Sequence, residues 1–215
     1  KNEESDMKKN DGMMQAVKVS LVSNIILFGI KAVTLLIVQS LAVAADLGIS
    51  VIALGVSGIL YYAIKTSDKP ADIFHNYGYG KIENVTEAVE GIVMIGLALA
   101  MSVQALAHLV NPGQTHSPLV GLIGSSLGVI INFWGASFIL KLAGKNASPA
   151  LRAEGIHFRL EGFISLTITL SFAVVLALPF AGLARWAVYV DPIATLLVSA
   201  AIAVTATSAT AARSP

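Results

Sequence analysis

Two polar side chains, His157 and Glu161, lie in a largely apolar stretch and have the types and spacing of a metal-binding pair. On an α-helix, residues four positions apart lie on the same face, about one turn from each other. Imidazole nitrogen and carboxylate oxygen are ligands for divalent transition metals, and the carboxylate can also carry a proton. The pair therefore predicts a cation site within a helix. The alternative is a buried hydrogen-bonded pair that fixes helix packing.

The composition indicates a protein of the lipid bilayer. Of 215 residues, 55% are hydrophobic and 13% are charged, whereas soluble domains carry about 25% charged residues. A net charge of +1, without a basic run interleaved with aromatic residues, gives no indication of a nucleic-acid partner. Because the chain has no cysteine, disulfides and thiolate metal sites are excluded.

Six apolar stretches, each close to the roughly 20 residues that a spanning helix needs, account for most of the chain. They cover residues 17–38, 41–64, 84–109, 119–143, 150–178 and 191–207. We therefore predict an all-α membrane protein of six transmembrane helices. Residues 1–16 are expected to form a polar cytoplasmic segment, 17–208 the transmembrane domain, and 209–215 a short tail with no cytoplasmic C-terminal domain. Nearly all Lys and Arg residues then fall on one side, which places both termini in the cytoplasm.

Depth in the membrane can be estimated for the ionisable residues of the apolar stretches. At ~1.5 Å per residue, His157 and Glu161 lie near the middle of a ~30 Å hydrocarbon layer. Asp46 in the second stretch and Lys31 in the first lie at the same depth as each other. Asp46 is thus either a third ligand or the ion-pair partner of Lys31. Separately, Asp191 before a proline is expected to cap the sixth helix.

Short motifs occur in a fixed order along nearly all of the spanning region. They are Ser23-Asn24-Ile25 with Lys31, Ser40 to Asp46, Lys69 to Asp72, His75 to Asn84, Ser148 to Glu154 with His157, and Asp191-Pro192-Ile193. In this order they resemble the transmembrane domain of the cation diffusion facilitator (CDF) family, six-helix antiporters of divalent metal ions and protons.

The resemblance implies a metal site shared by the second and fifth helices. The family's His-x-x-x-Asp pattern on the fifth helix is matched by His157 and Glu161, with a longer acid. The family's two ligand positions on the second helix hold Ile49 and Ala53, neither of which can bind a metal.

The resemblance also implies a second, minor metal site in the cytoplasmic loop. Asp72 and His75 match two of its ligands, and the third position holds Tyr79.

The predicted function is proton-coupled export of a divalent transition metal by a secondary transporter, not an enzyme. Zinc is the first candidate for the transported metal, and cadmium, manganese, iron and cobalt are the alternatives. The metal is a transported substrate rather than a cofactor. The resemblance further implies a homodimer, and we expect the cell (inner) membrane. The alternatives are a transport-incompetent relative that acts as partner or scaffold, and a proton-coupled exporter of organic cations.

Overall fold

The described part of the chain forms six long α-helices. The computed structural model describes the backbone of residues 2–66, 80–111, 116–146 and 149–211, and the side chains of residues 12–59, 61–62, 92, 94–111, 116–145 and 151–204. The helices are α1 (Asn2–Val38), α2 (Leu41–Thr66), α3 (Gly80–Val110), α4 (Pro118–Asn146), α5 (Pro149–Ala177) and α6 (Ala187–Ala211). Two 3-10 turns, Leu178–Ala181 and Ala184–Trp186, connect α5 to α6. The predicted all-α fold is confirmed.

Five of these helices contain stretches that are long and apolar enough to cross a membrane. Within the described residues the stretches are Gly12–Val38, Leu41–Ile59, Pro118–Lys145, Leu151–Ala181 and Ala184–Val204, and α3 contributes the shorter apolar segment Met94–Val110. Each exceeds or approaches the ~20 residues that span a ~30 Å hydrocarbon layer. The chain is a multi-pass membrane protein.

The helices pack around two apolar clusters. α4 lies along α5 and α1, and α3 lies along α6. One cluster joins α2, α5 and α6 through residues such as Ile49, Ile168 and Val198. The other joins α1, α4 and α5 through Leu27, Ile139 and Phe158.

The apolar runs predict the helix ends well, except at α1 and α6. α1 begins at Asn2, so residues 2–16 are helical and continuous with the first spanning helix. The turn between α1 and α2 occupies Gln39 and Ser40, and Gln39 has a left-handed φ of 53° that ends α1.

The prediction that Asp191 caps the sixth helix is wrong. α6 begins at Ala187, so Asp191 and Pro192 lie inside it. The carboxylate of Asp191 instead accepts hydrogen bonds from the backbone N–H groups of Leu41 at 2.8 Å and Ala42 at 3.4 Å, and from the Ser40 hydroxyl. The first N–H groups of α2 lack partners within their own helix. A side chain from α6 therefore caps α2.

Candidate functional site

A buried charged cluster joins α1, α2 and α5 in the middle of the bundle. Lys31 Nζ lies 2.8 Å from Asp46 Oδ1 and 3.3 Å from Glu161 Oε2, and it donates to Ser50 Oγ at 2.7 Å. The side chains of these three charged residues are at most 5% exposed. Charges this deep are retained only when they are paired, or when a function requires them.

Glu161 connects this cluster to His157. Its Oε1 atom lies 3.4 Å from His157 Nε2, one helical turn away, while its Oε2 atom faces Lys31. His157 is 16% exposed, whereas Glu161 is 2% exposed. One carboxylate thus has one oxygen beside an ammonium group and the other beside an imidazole nitrogen.

The remaining oxygen of Asp46 is also in contact. Ser165 Oγ, one turn beyond Glu161 on α5, donates to Asp46 Oδ2 at 3.4 Å. Asp46 therefore has one oxygen directed to Lys31 and the other to α5. One positive charge against two negative charges leaves a net charge of −1 when His157 is neutral.

Regular spacing of polar residues explains why these side chains meet. Residues three, four or seven positions apart share a helix face. The interior polar residues follow this spacing on each of the three helices: Ser20, Asn24, Lys31 and Thr34 on α1, Asp46, Ser50 and Ser57 on α2, and Glu154, Glu161 and Ser165 on α5. Folding the apolar remainder against lipid and neighbouring helices brings the three stripes together.

A second polar cluster lies at Glu154, two turns before Glu161. The hydroxyl of Ser57 donates to Glu154 Oε1 at 2.6 Å, and the hydroxyl of Ser20 donates to the same oxygen. Asn24 Nδ2 in turn donates to Ser57 Oγ at 2.7 Å. This cluster links α1, α2 and α5 with neutral donors around a carboxyl group that is 6% exposed. Glu154 belongs to one of the sequence motifs, but the spacing within that motif does not predict this network.

The structure brings some of the predicted site residues together. His157 and Glu161 are in contact with each other. Asp46 belongs to the same cluster because it forms an ion pair with Lys31, which is one of the two alternatives predicted for it. Asp72 and His75 lie outside the described residues. Among the described side chains, no group of three or more His, Cys, Asp or Glu residues is arranged to hold a metal ion.

The second-helix positions Ile49 and Ala53 belong to the apolar interior. They are 0% and 2% exposed. Ile49 is part of the cluster that joins α2, α5 and α6. These two side chains contribute packing where the CDF resemblance would place metal ligands.

A small cavity adjoins the charged cluster on the side where α1 ends and α2 begins. Its volume is about 10 Å³, close to the minimum that holds one water molecule. Its lining comes from α1, α2, α4 and α5: Lys31, Thr34, Val43, Asp46, Gly124, Ser125, Gly128 and Ile168. The cavity therefore places space for a small polar species beside the Lys31–Asp46 pair.

Taken together, the fold and the buried charges define a multi-pass helical membrane protein with a buried ionisable cluster inside its apolar spans. The family model for the cation efflux transmembrane domain matches residues 17–210. The chain belongs to this family.

Curated relatives agree with that assignment. The chain is 32% identical over 192 residues to a probable cation efflux system protein of Mycobacterium tuberculosis. The matched region covers 88% of this chain and 54% of the relative. It is 26% identical over 170 residues to the cation-efflux pump FieF of Cronobacter sakazakii, covering 79% of this chain and 55% of that pump. The chain thus spans about half the length of the curated relatives it matches.

Proposed function

We propose that the protein exports divalent transition-metal cations across the membrane in exchange for protons. Zinc is the first candidate, and cadmium, manganese, iron and cobalt are the others. The observation that carries the proposal is the position of Glu161, buried between Lys31 and His157 in a chain of the cation efflux family. Ionisable residues at this depth mark ion pathways in membrane proteins.

His157 Nε2 and Glu161 Oε1 form the core of the proposed cation site. They lie 3.4 Å apart and face each other, and imidazole nitrogen with carboxylate oxygen suits first-row divalent metals. Lys31 holds the other oxygen of Glu161, so the ligand oxygen is oriented by a contact outside the site. Asp46 is proposed as a further, more distant contributor, which the cation reaches when it displaces the Lys31 ammonium.

Charge balance supports coupling to protons. The cluster has a net charge of −1 with neutral His157 and therefore attracts a cation. A proton on His157 brings this charge to zero and blocks the nitrogen that would bind a metal. Protons arriving from the outer side thus release the cation, and cytoplasmic deprotonation restores the site.

The remaining parts of the proposal concern the whole protein. Asp72 and His75 are proposed as a cytoplasmic entry site, and the helix bundle as a homodimer in the cell (inner) membrane. The small cavity beside Lys31 and Asp46 is proposed as part of the release path, which leads away from this entry site. The protein acts as a secondary transporter in this proposal.

Proton release on metal binding provides the test. Zn²⁺ or Mn²⁺ is titrated into weakly buffered detergent-solubilised protein while metal uptake and pH are followed. We expect metal binding accompanied by proton release, weakening as pH falls, and lost in Glu161→Gln. Arg159→Gln is the matched control, because it removes a charge from an exposed position of α5. Equal metal binding by Glu161→Gln would refute the proposed site.

A scaffold or partner role is the second candidate, and one observation favours it. Ile49 and Ala53 fill their positions with apolar side chains that are almost fully buried, leaving α2 without ligands there. In that case the folded wild-type chain binds no divalent metal. Binding or transport of lipophilic organic cations in place of metals would instead support the third possibility.

A further inference from the structure

The side chain of Asn132 is buried in the bundle without a described partner. It lies on α4, is 0% exposed, and neither its Oδ1 nor its Nδ2 atom makes a hydrogen bond with the described residues. A buried amide left unpaired loses its hydrogen bonds to water without replacing them, which destabilises the fold. Buried polar side chains are nearly always paired, so each exception calls for a functional role or for a bound water or ion.

The pairing of α4 with α5 shows which residue of α5 lies at the same level as Asn132. The helices run antiparallel, and their close contacts define a register. A methyl group on Gly128 would lie 3.1 Å from Ser165 Oγ, and one on Gly135 would lie 2.9 Å from a ring carbon of Phe158. Four residues on from Gly128 is Asn132, and four residues back from Ser165 is Glu161. Asn132 therefore lies level with Glu161.

Asn132 also lies on the face of α4 that contacts α5. It is four residues after Gly128 and three before Gly135, the spacings that share a helix face. Both glycines contact α5 side chains. With the side chain fully buried, its amide is directed into the interior rather than towards lipid.

At the same level, one carboxylate oxygen of Glu161 accepts no hydrogen bond from the described residues. This Oε1 atom is buried, and His157 Nε2 lies 3.4 Å away from it. The buried amide of one helix and the open carboxylate oxygen of the next thus lie at one depth. A cation bound by both, with the imidazole, would satisfy the two groups together.

We propose that Asn132 is a ligand of the transported cation and binds it through its amide oxygen beside His157 and Glu161. This inference rests on the proposed function and completes its site with a residue from α4. The resulting set is one nitrogen and two oxygens of different kinds. Amide and carboxylate oxygens suit harder cations such as Mn²⁺, whereas thiolate ligands select soft ions such as Cu⁺. The class of cation is therefore a hard or borderline divalent metal.

Two substitutions separate a ligand from a structural side chain. Asn132→Leu is nearly isosteric and removes both polar atoms, so the metal-free protein should keep or gain stability, because no buried amide remains unpaired. Its affinity for Mn²⁺ and Zn²⁺ should fall by about tenfold or more, since losing even outer-shell partners of a metal site costs 10–100-fold. Asn132→Asp keeps the shape, adds a charged oxygen and should bind Mn²⁺ more tightly.

The measurement is isothermal titration of the solubilised full chain with Mn²⁺ and with Zn²⁺, alongside thermal unfolding without metal. Wild-type affinity in both variants, in a chain whose metal binding is lost in Glu161→Gln, would overturn the Asn132 inference alone. A large loss of metal-free stability in Asn132→Leu with unchanged affinity in Asn132→Asp would also overturn it, by assigning a packing role. Absence of metal binding in the wild type would overturn the proposed function.

Discussion

Lys31 and Asp46 form an ion pair between α1 and α2, with Nζ and Oδ1 2.8 Å apart and the two side chains 5% and 4% exposed. Both residues lie within apolar stretches that are long enough to span a membrane, where an isolated charge is expensive. Lys31 also reaches Glu161, so the pair fixes one end of the proposed cation site to the helix interface. Site geometry and bundle stability therefore depend on the same ammonium group.

Removing Lys31 alone should destabilise the fold. In Lys31→Met, Asp46 and Glu161 remain as two buried carboxylates without their cation. Breaking a buried pair on one side costs about 3–5 kcal/mol. Unfolding in mixed micelles by denaturing detergent measures the loss. The double variant Lys31→Met, Asp46→Leu should recover much of it, and a single variant as stable as the wild type would contradict the ion pair's role.

Asp46→Asn tests whether Asp46 contributes to cation binding. The change keeps the shape but moves the net charge of the cluster from −1 to zero, so cation affinity should fall by several-fold, on the order of 1 kcal/mol. Equilibrium titration with Zn²⁺ and Mn²⁺ gives the affinity. Affinity equal to that of the wild type would remove Asp46 from the site, leaving it as the partner of Lys31 only.

Asp191→Ala should loosen the start of α2. Its carboxylate accepts from the N–H of Leu41 at 2.8 Å and from Ala42 at 3.4 Å, and losing a helix cap costs about 1 kcal/mol. Amide hydrogen exchange at Leu41 and Ala42 should become about fivefold faster, while the middle of α2 is unchanged. Asp191→Asn retains an acceptor and should exchange nearly as the wild type does. Unchanged exchange in Asp191→Ala would show that the contact does not cap α2.

Glu154→Ala should weaken the contact of α5 with α1 and α2. The substitution leaves the hydroxyls of Ser20 and Ser57 without their shared acceptor. Interhelical hydrogen bonds in membranes contribute about 0.6 kcal/mol on average and up to about 1.7, so a loss of about 1–3 kcal/mol is expected. Glu154→Gln keeps an oxygen acceptor and should lose less in the same unfolding measurement. Equal losses in both variants would argue against hydrogen bonding as the cause.

Much of the fold follows from the sequence because lipid imposes a simple rule. Backbone polar groups in a bilayer must be paired within the segment, so each long apolar run becomes a helix. The His157–Glu161 pair is likewise local, since spacing by four residues places both on one face. Matching depth was enough to suggest the contact between Lys31 and Asp46, which the structure contains.

Other features depend on which helices are neighbours, and spacing along one segment does not contain that information. Asp191 has the local signal of a cap for its own helix, yet it caps α2 across the bundle. Asn132 is a single polar residue in an apolar run, and Glu154 is one of several polar residues near the start of α5. The significance of each appears only from the side chains of neighbouring helices. The signal in the sequence was the repeat of polar residues along α1, α2 and α5, which predicts converging faces but not their order.

In the proposed function a cation crosses the membrane through the site at Glu161 in exchange for protons. The most direct test is Zn²⁺ and Mn²⁺ flux into proteoliposomes under an imposed proton gradient, comparing the wild type with Glu161→Gln and the Arg159→Gln control. We expect metal flux that requires the proton gradient, persists in the control and is abolished in Glu161→Gln. Folded wild-type protein that moves neither metal, or flux that survives Glu161→Gln, would contradict it.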